Sequence, residues 1–141
     1  MKFGIIQFPG SNCEKDCLHV TQEVLGLETH LFDYRENPNF GRLINYLIIP
    51  GGFSFGDYLR PVAIAKAANI MTSIKDFAKY GGFILGICNG FQILTEANLL
   101  PGALINNLQN RFICQETNLQ IVNTNTPFTN LYNADEINPR C

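Results

Sequence analysis

Cys88 has the setting in this chain that points most directly to covalent chemistry. It stands in Gly86-Ile87-Cys88-Asn89-Gly90, after the apolar run Phe83-Ile84-Leu85 and before Ile93, Leu94 and Ala97 at helical spacing. A nucleophile at a tight strand-to-helix turn, with glycine two places before and after it, forms a nucleophile elbow. Such a turn holds the nucleophile in a strained backbone conformation. Side chains at Gly86 and Gly90 would collide with it. At a helix N-terminus, free N–H groups and the helix dipole favour a thiolate. The N–H of Asn89 points to where an oxyanion forms when a carbonyl is attacked. The chemistry implied is acyl transfer through a thioester.

A second oxyanion donor has to come from another strand end. Gly51-Gly52-Phe53, directly after the apolar run 46–50, is the candidate, because glycine lets backbone approach a ligand closely. By itself this is an ordinary glycine turn; beside the elbow it reads as part of a site. Gln92 lies one helical turn beyond Cys88 and is placed either to touch a substrate or to brace the site.

The elements that position these residues alternate. Residues 2–8, 28–34, 46–50 and 83–87 read as strands, the first and last of them buried and the second loosely alternating. A first helix runs to about residue 26, opened by a capping box between Ser11 and Glu14, with Cys17, Val20, Thr21 and Val24 on one face. A second begins near Pro61, carries Ile64, Ala67, Ala68, Met71, Ile74 and Ala78 as its stripe, and ends at Gly81-Gly82. The third follows Cys88 and stops before Pro101-Gly102. This order implies a doubly wound, mostly parallel sheet with helices on both faces and right-handed crossovers. Residues 103–107, 111–116 and 119–123 read as short strands without helices between them. Three helices are few for covering two sheet faces.

Composition narrows the function class. The 141 residues carry a formal net charge of −2, which offers no basic stripe for nucleic acid. No apolar run is long enough to span a bilayer, and the scattered, unpaired cysteines suit a reduced cytoplasmic protein. Five cysteines, an odd number without paired metal-ligand spacing, predict neither a disulfide framework nor a metal site.

Three blocks carry a family resemblance: Phe8-Pro9-Gly10-Ser11-Asn12-Cys13-Glu14; Pro50-Gly51-Gly52-Phe53-Ser54-Phe55-Gly56-Asp57-Tyr58-Leu59-Arg60; and Leu85-Gly86-Ile87-Cys88-Asn89-Gly90-Phe91-Gln92. With Leu94-Thr95-Glu96, Leu99 to Leu104 and Arg111-Phe112-Ile113-Cys114, the chain resembles class I glutamine amidotransferases. Within them it is most similar to the glutaminase subunits of the phosphoribosylformylglycinamidine synthases. The resemblance implies one amidotransferase domain over residues 1–141, its N-terminal part only. It implies glutamine as substrate and Cys88 as the nucleophile. Backbone N–H groups near Gly52, Phe53 and Asn89 would hold the oxyanions. It implies a large synthase subunit as partner, with a small accessory subunit beside it. ATP and magnesium would be used by that partner, with no cofactor bound by this chain.

The family completes its triad with a later His-Pro-Glu. Here the histidines are His19 and His30, both before Cys88, and Glu136 does not follow His-Pro. The sequence therefore reads as truncated, as a fragment or a frameshifted reading, with little or no turnover of its own. Two other readings compete. One is a cysteine hydrolase or chaperone of the ThiJ/PfpI type, which lacks the second and third blocks. The other is a non-catalytic fragment that docks on the synthase through Phe53, Phe55 and Tyr58.

Overall fold

In a computed structural model the described residues are 1–57, 64–133 and 137–138. They fall into two compact units, Met1–Leu104 and Ile105–Cys141. The first holds a four-stranded sheet built from β1 (Lys2–Gln7), β2 (Glu28–Asp33), β3 (Tyr46–Ile49) and β4 (Phe83–Gly86). All its pairings are parallel and its order is β2-β1-β3-β4.

That order dictates where the helices go. The path from β1 to β2 runs one way across the sheet, whereas the paths from β2 to β3 and β3 to β4 run the other way. Right-handed crossovers then place the first connection on one face and the later ones on the opposite face. The later helices are α2 (Phe40–Leu43), α3 (Ile70–Lys79) and α4 (Asn89–Glu96). Phe40 of α2, Met71, Ile74 and Phe77 of α3, and Ile93 and Leu94 of α4 share one buried cluster with Ile6, Phe32, Leu47 and Ile49. Ile5 and Ile48, the alternate strand positions, are buried outside that cluster. They point to the face that the β1–β2 connection serves. Helices thus lie on both faces, but unequally. On the thinner face Leu85 remains 44% exposed. Beside it Phe3, Tyr46 and Phe83 stack across three strands, with ring centroids 5.1 and 5.0 Å apart. The expectation of a buried fourth strand is corrected accordingly: β4 is half-buried, with Leu85 on its thinner face open to solvent.

Four further sequence expectations change. The first helix is α1 (Glu14–Leu18), continued by a π-helical stretch, His19–Val24. The Thr21 hydroxyl donates to the Cys17 carbonyl at 2.8 Å, the acceptor that an α-helical N–H would use. The wider winding keeps Thr21 buried but turns Val20 and Val24 to solvent. No Ser11–Glu14 capping box forms. The Ser11 hydroxyl closes its own turn by donating to the Phe8 carbonyl at 2.8 Å, and Cys13 takes the cap position of α1.

α3 starts at Ile70; the expected start near Pro61 lies outside the described residues, as does Tyr58. Ala65–Ala67 make a 3-10 turn and Ala68 is extended, so the helical phase restarts. The buried stripe becomes Ile70, Met71, Ile74 and Phe77, leaving Ile64 exposed. In the second unit, β5 (Leu119–Gln120) pairs antiparallel with β6 (Ile137–Asn138). Residues 103–107 and 111–116 form no strand among the described residues, and Ile105 and Phe112 are exposed. Their apolar alternation suits a strand, but a strand also needs a neighbour to accept its hydrogen bonds.

Ile74 tests the main core. It is fully buried between sheet and helices. Ile74→Ala is expected to cost about 2–5 kcal/mol, read as a lower urea midpoint with an unchanged slope.

Candidate active site

The site lies at the carboxyl edge of the sheet, where the loops after β1, β3 and β4 meet. Strand order reverses between β1 and β3, the point at which an open α/β sheet forms a crevice. The loops on either side of that crevice are joined. Ser11 and Gly52 form an antiparallel bridge. The Asn12 N–H donates to the Gly51 carbonyl at 3.2 Å and the Phe53 N–H donates to the Gly10 carbonyl at 2.9 Å. Gly52 has φ +140°, and a methyl there would lie 2.6 Å from Ser11 Cα, so no side chain fits.

The elbow has the expected shape. Cys88 is exposed and adopts φ 52°, ψ −108°, a left-handed backbone that only the surrounding packing can hold for a non-glycine residue. The two flanking glycines are required, with a refinement. A methyl on Gly86 would sit 2.6 Å from Leu94 Cδ1 and 2.8 Å from the Gly90 backbone, and one on Gly90 would run into the Ile49 carbonyl. They serve less to clear space around the cysteine than to let α4 lie directly on β3 and β4.

Two backbone N–H groups near the elbow stay outside the loop pairings among the described residues. Asn89 is the first residue of α4, so its N–H has no acceptor within the helix. Gly52 takes no part in the two bonds of its bridge, which use the N–H groups of Asn12 and Phe53. The Phe53 N–H, which the sequence offered as a donor, is engaged by the Gly10 carbonyl. The Phe53 ring is 64% exposed. Gly51 abuts the nucleophile: the position its Cβ would take is 3.5 Å from Cys88 Cβ.

Sequence reasoning missed the role of the Asn89 side chain. It is fully buried and ties the two halves of the site together. Its Oδ1 accepts from the Ser54 N–H at 3.1 Å, and its Nδ2 donates to Gln92 Oε1 at 2.9 Å. Gln92 is therefore a brace in this structure. Phe55, expected on an exposed docking loop, instead packs on the core against Phe8 and Tyr34. His19 and His30 pair with the exposed Glu23 and Glu28, on helix and strand away from this crevice. A separate cleft, lined by Asn45, Ser73, Asp76 and Phe83, lies at the opposite, amino edge of the sheet.

Comparison with known proteins agrees with this geometry. Residues 1–138 match the family described as CobB/CobQ-like glutamine amidotransferase domain. The chain is 48% identical over 137 residues to a phosphoribosylformylglycinamidine synthase subunit PurQ from Alkaliphilus metalliredigens, covering 97% of this chain and 60% of that protein. It is 50% identical over 136 residues to the Staphylococcus saprophyticus protein of the same name, covering 96% and 60%. Among solved structures it resembles a chain of PurLQS from Thermotoga maritima, with a TM-score of 0.84 and 40% identity over 98% of this chain and 63% of that one. The chain thus spans about 60% of the length of these curated relatives.

The contact between α4 and β3 gives a direct test. Gly90→Ala is expected to push α4 off the Ile49 carbonyl, at a cost of about 1–3 kcal/mol in chemical denaturation. Reaction of Cys88 with iodoacetamide should change with it, because the elbow moves with the helix.

Proposed function

Because the chain belongs to the CobB/CobQ-like glutamine amidotransferase family, we propose that it carries the nucleophilic half of a glutaminase site. The reading extends to the glutaminase component of phosphoribosylformylglycinamidine synthase, an ATP-dependent C–N ligase. Residues 1–141 are then part of one amidotransferase domain in a cytoplasmic enzyme of purine biosynthesis. The single observation that carries the proposal is the exposed, strained Cys88 at the strand-to-helix elbow, with Gly51 directly against it.

Each group has a step. The Cys88 thiolate attacks the carboxamide carbon of glutamine, and the carbonyl oxygen becomes an oxyanion beside the Gly52 and Asn89 N–H groups. Collapse of that adduct expels ammonia and leaves a thioester. Water then cleaves the thioester to glutamate through a second oxyanion. Asn89 and Gln92 keep helix and loop at a fixed spacing while charge develops. The ammonia passes to a large synthase subunit, which spends ATP to convert formylglycinamide ribonucleotide to the amidine. A small accessory subunit assists, and ATP and magnesium belong to the partner.

Both proton transfers need a base, and no histidine follows Cys88 in the 141 residues. The expected turnover by these residues is therefore little or none, with the large subunit present or absent. Glutamine hydrolysis at the rate of ordinary amidotransferases in that assay would overturn the reading. A glutamine-analogue alkylator such as diazo-oxo-norleucine should still mark Cys88 slowly in a peptide map, and Cys88→Ser should abolish the mark. Labelling spread evenly over the cysteines would argue against a glutamine site.

A further inference from the structure

The loop after β1 brings a second thiol to the nucleophile. Cys13 and Cys88 are far apart in sequence and lie on different elements. Gly51 stands between them. The volume its missing Cβ would fill is bordered at 3.5 Å by Cys88 Cβ and at 3.6 Å by Cys13 Sγ. Cys13 is held there by its backbone, whose N–H points to the Gly51 carbonyl at 3.4 Å. Cys88 is exposed and Cys13 partly so, which leaves both within reach of a small oxidant. Cys17, one turn further along α1, is a poorer partner. Burial pushes its thiol up, and the neighbouring Cys13 adds to that.

We propose that Cys13 is the resolving thiol for an oxidised Cys88, making the site a reversible target of peroxides. The inference rests on the reading of Cys88 as a nucleophile. In the first step the Cys88 thiolate attacks one oxygen of a hydroperoxide. The O–O bond breaks, the alcohol or water departs with a proton, and Cys88 becomes a sulfenic acid. In the second the Cys13 sulfur attacks Cys88 Sγ, the S–O bond breaks, and the hydroxyl leaves as water with the Cys13 proton. Two thiols have then lost two electrons and one peroxide has gained them. The disulfide crosses the gap over Gly51, blocks attack on substrate, and is reopened by a dithiol reductant. Without Cys13 the sulfenic acid would persist and go on to the irreversible sulfinic acid.

The test treats the 141-residue chain with hydrogen peroxide, caps free thiols with N-ethylmaleimide, and maps peptides without reduction. The expected product is a Cys13–Cys88 cross-link that dithiothreitol removes, with Cys88 alkylation by iodoacetamide restored. Cys13→Ser should raise Cys88 sulfinic acid severalfold under the same dose. Gly51→Ala is a second variant that should fold, because its methyl meets both cysteines at ordinary contact distance. It should slow the cross-link severalfold by filling the gap. A dominant Cys13–Cys17 bridge would overturn the proposal. So would a Cys13 that stays alkylatable while Cys88 over-oxidises equally with and without it. Diazo-oxo-norleucine labelling of untreated protein is read separately, so loss of the glutamine reading and loss of the resolving thiol are told apart.

Discussion

The site depends on one short pairing, the bridge between Ser11 and Gly52. Two loops that leave neighbouring strands at the point where strand order reverses would otherwise diverge. The N–H groups of Asn12 and Phe53, with those of Cys13 and Phe55 beside them, fix them together. That bridging has a chemical by-product. It engages the Gly51 carbonyl and the Phe53 N–H, the groups that flank Gly52, and leaves the Gly52 N–H out of the pairing. Which N–H stays free of the pairing on this side of the crevice is therefore set by the bridge rather than by any side chain. The requirement for glycine follows from the same contact, since the bridge brings Ser11 Cα to where a methyl would go.

The other half of the site is set by close packing. α4 lies so near β3 that Gly90 rests on the Ile49 carbonyl, and this proximity holds Cys88 in its left-handed conformation. Buried Asn89 then joins the halves through Ser54 and Gln92. An unpaired buried amide costs about 1–3 kcal/mol, so this small network is maintained by the penalty for breaking it as much as by the bonds themselves.

The parts legible in the sequence were those governed by local pattern. Four apolar runs became β1 to β4, and Ile93, Leu94 and Ala97 face the core as their spacing suggested. The glycines around Cys88 marked the elbow because they are demanded within five residues. The parts not legible depend on residues far apart in the chain. Whether Phe53 or Gly52 keeps a free N–H depends on Gly10, some forty positions earlier, and no local pattern carries that. The capping box failed because Ser11 had a nearer acceptor in Phe8. The first helix widened because one hydroxyl, that of Thr21, competed for a backbone carbonyl. The stretch after residue 102 has apolar alternation, but alternation cannot name the partner strand.

The aromatic ladder on the thinner face has a spectroscopic consequence. The chain has no tryptophan, so its near-ultraviolet signal belongs to tyrosine and phenylalanine. Tyr46 is clamped between Phe3 and Phe83 with interplanar angles of 16° and 19°, whereas Tyr80 is 83% exposed. A clamped ring in an asymmetric setting gives strong circular dichroism, and a freely rotating one gives little. The band from Tyr46 therefore senses β1, β3 and β4 at once. The protein carries its own optical gauge of strand register, at the edge of the sheet opposite to Cys88.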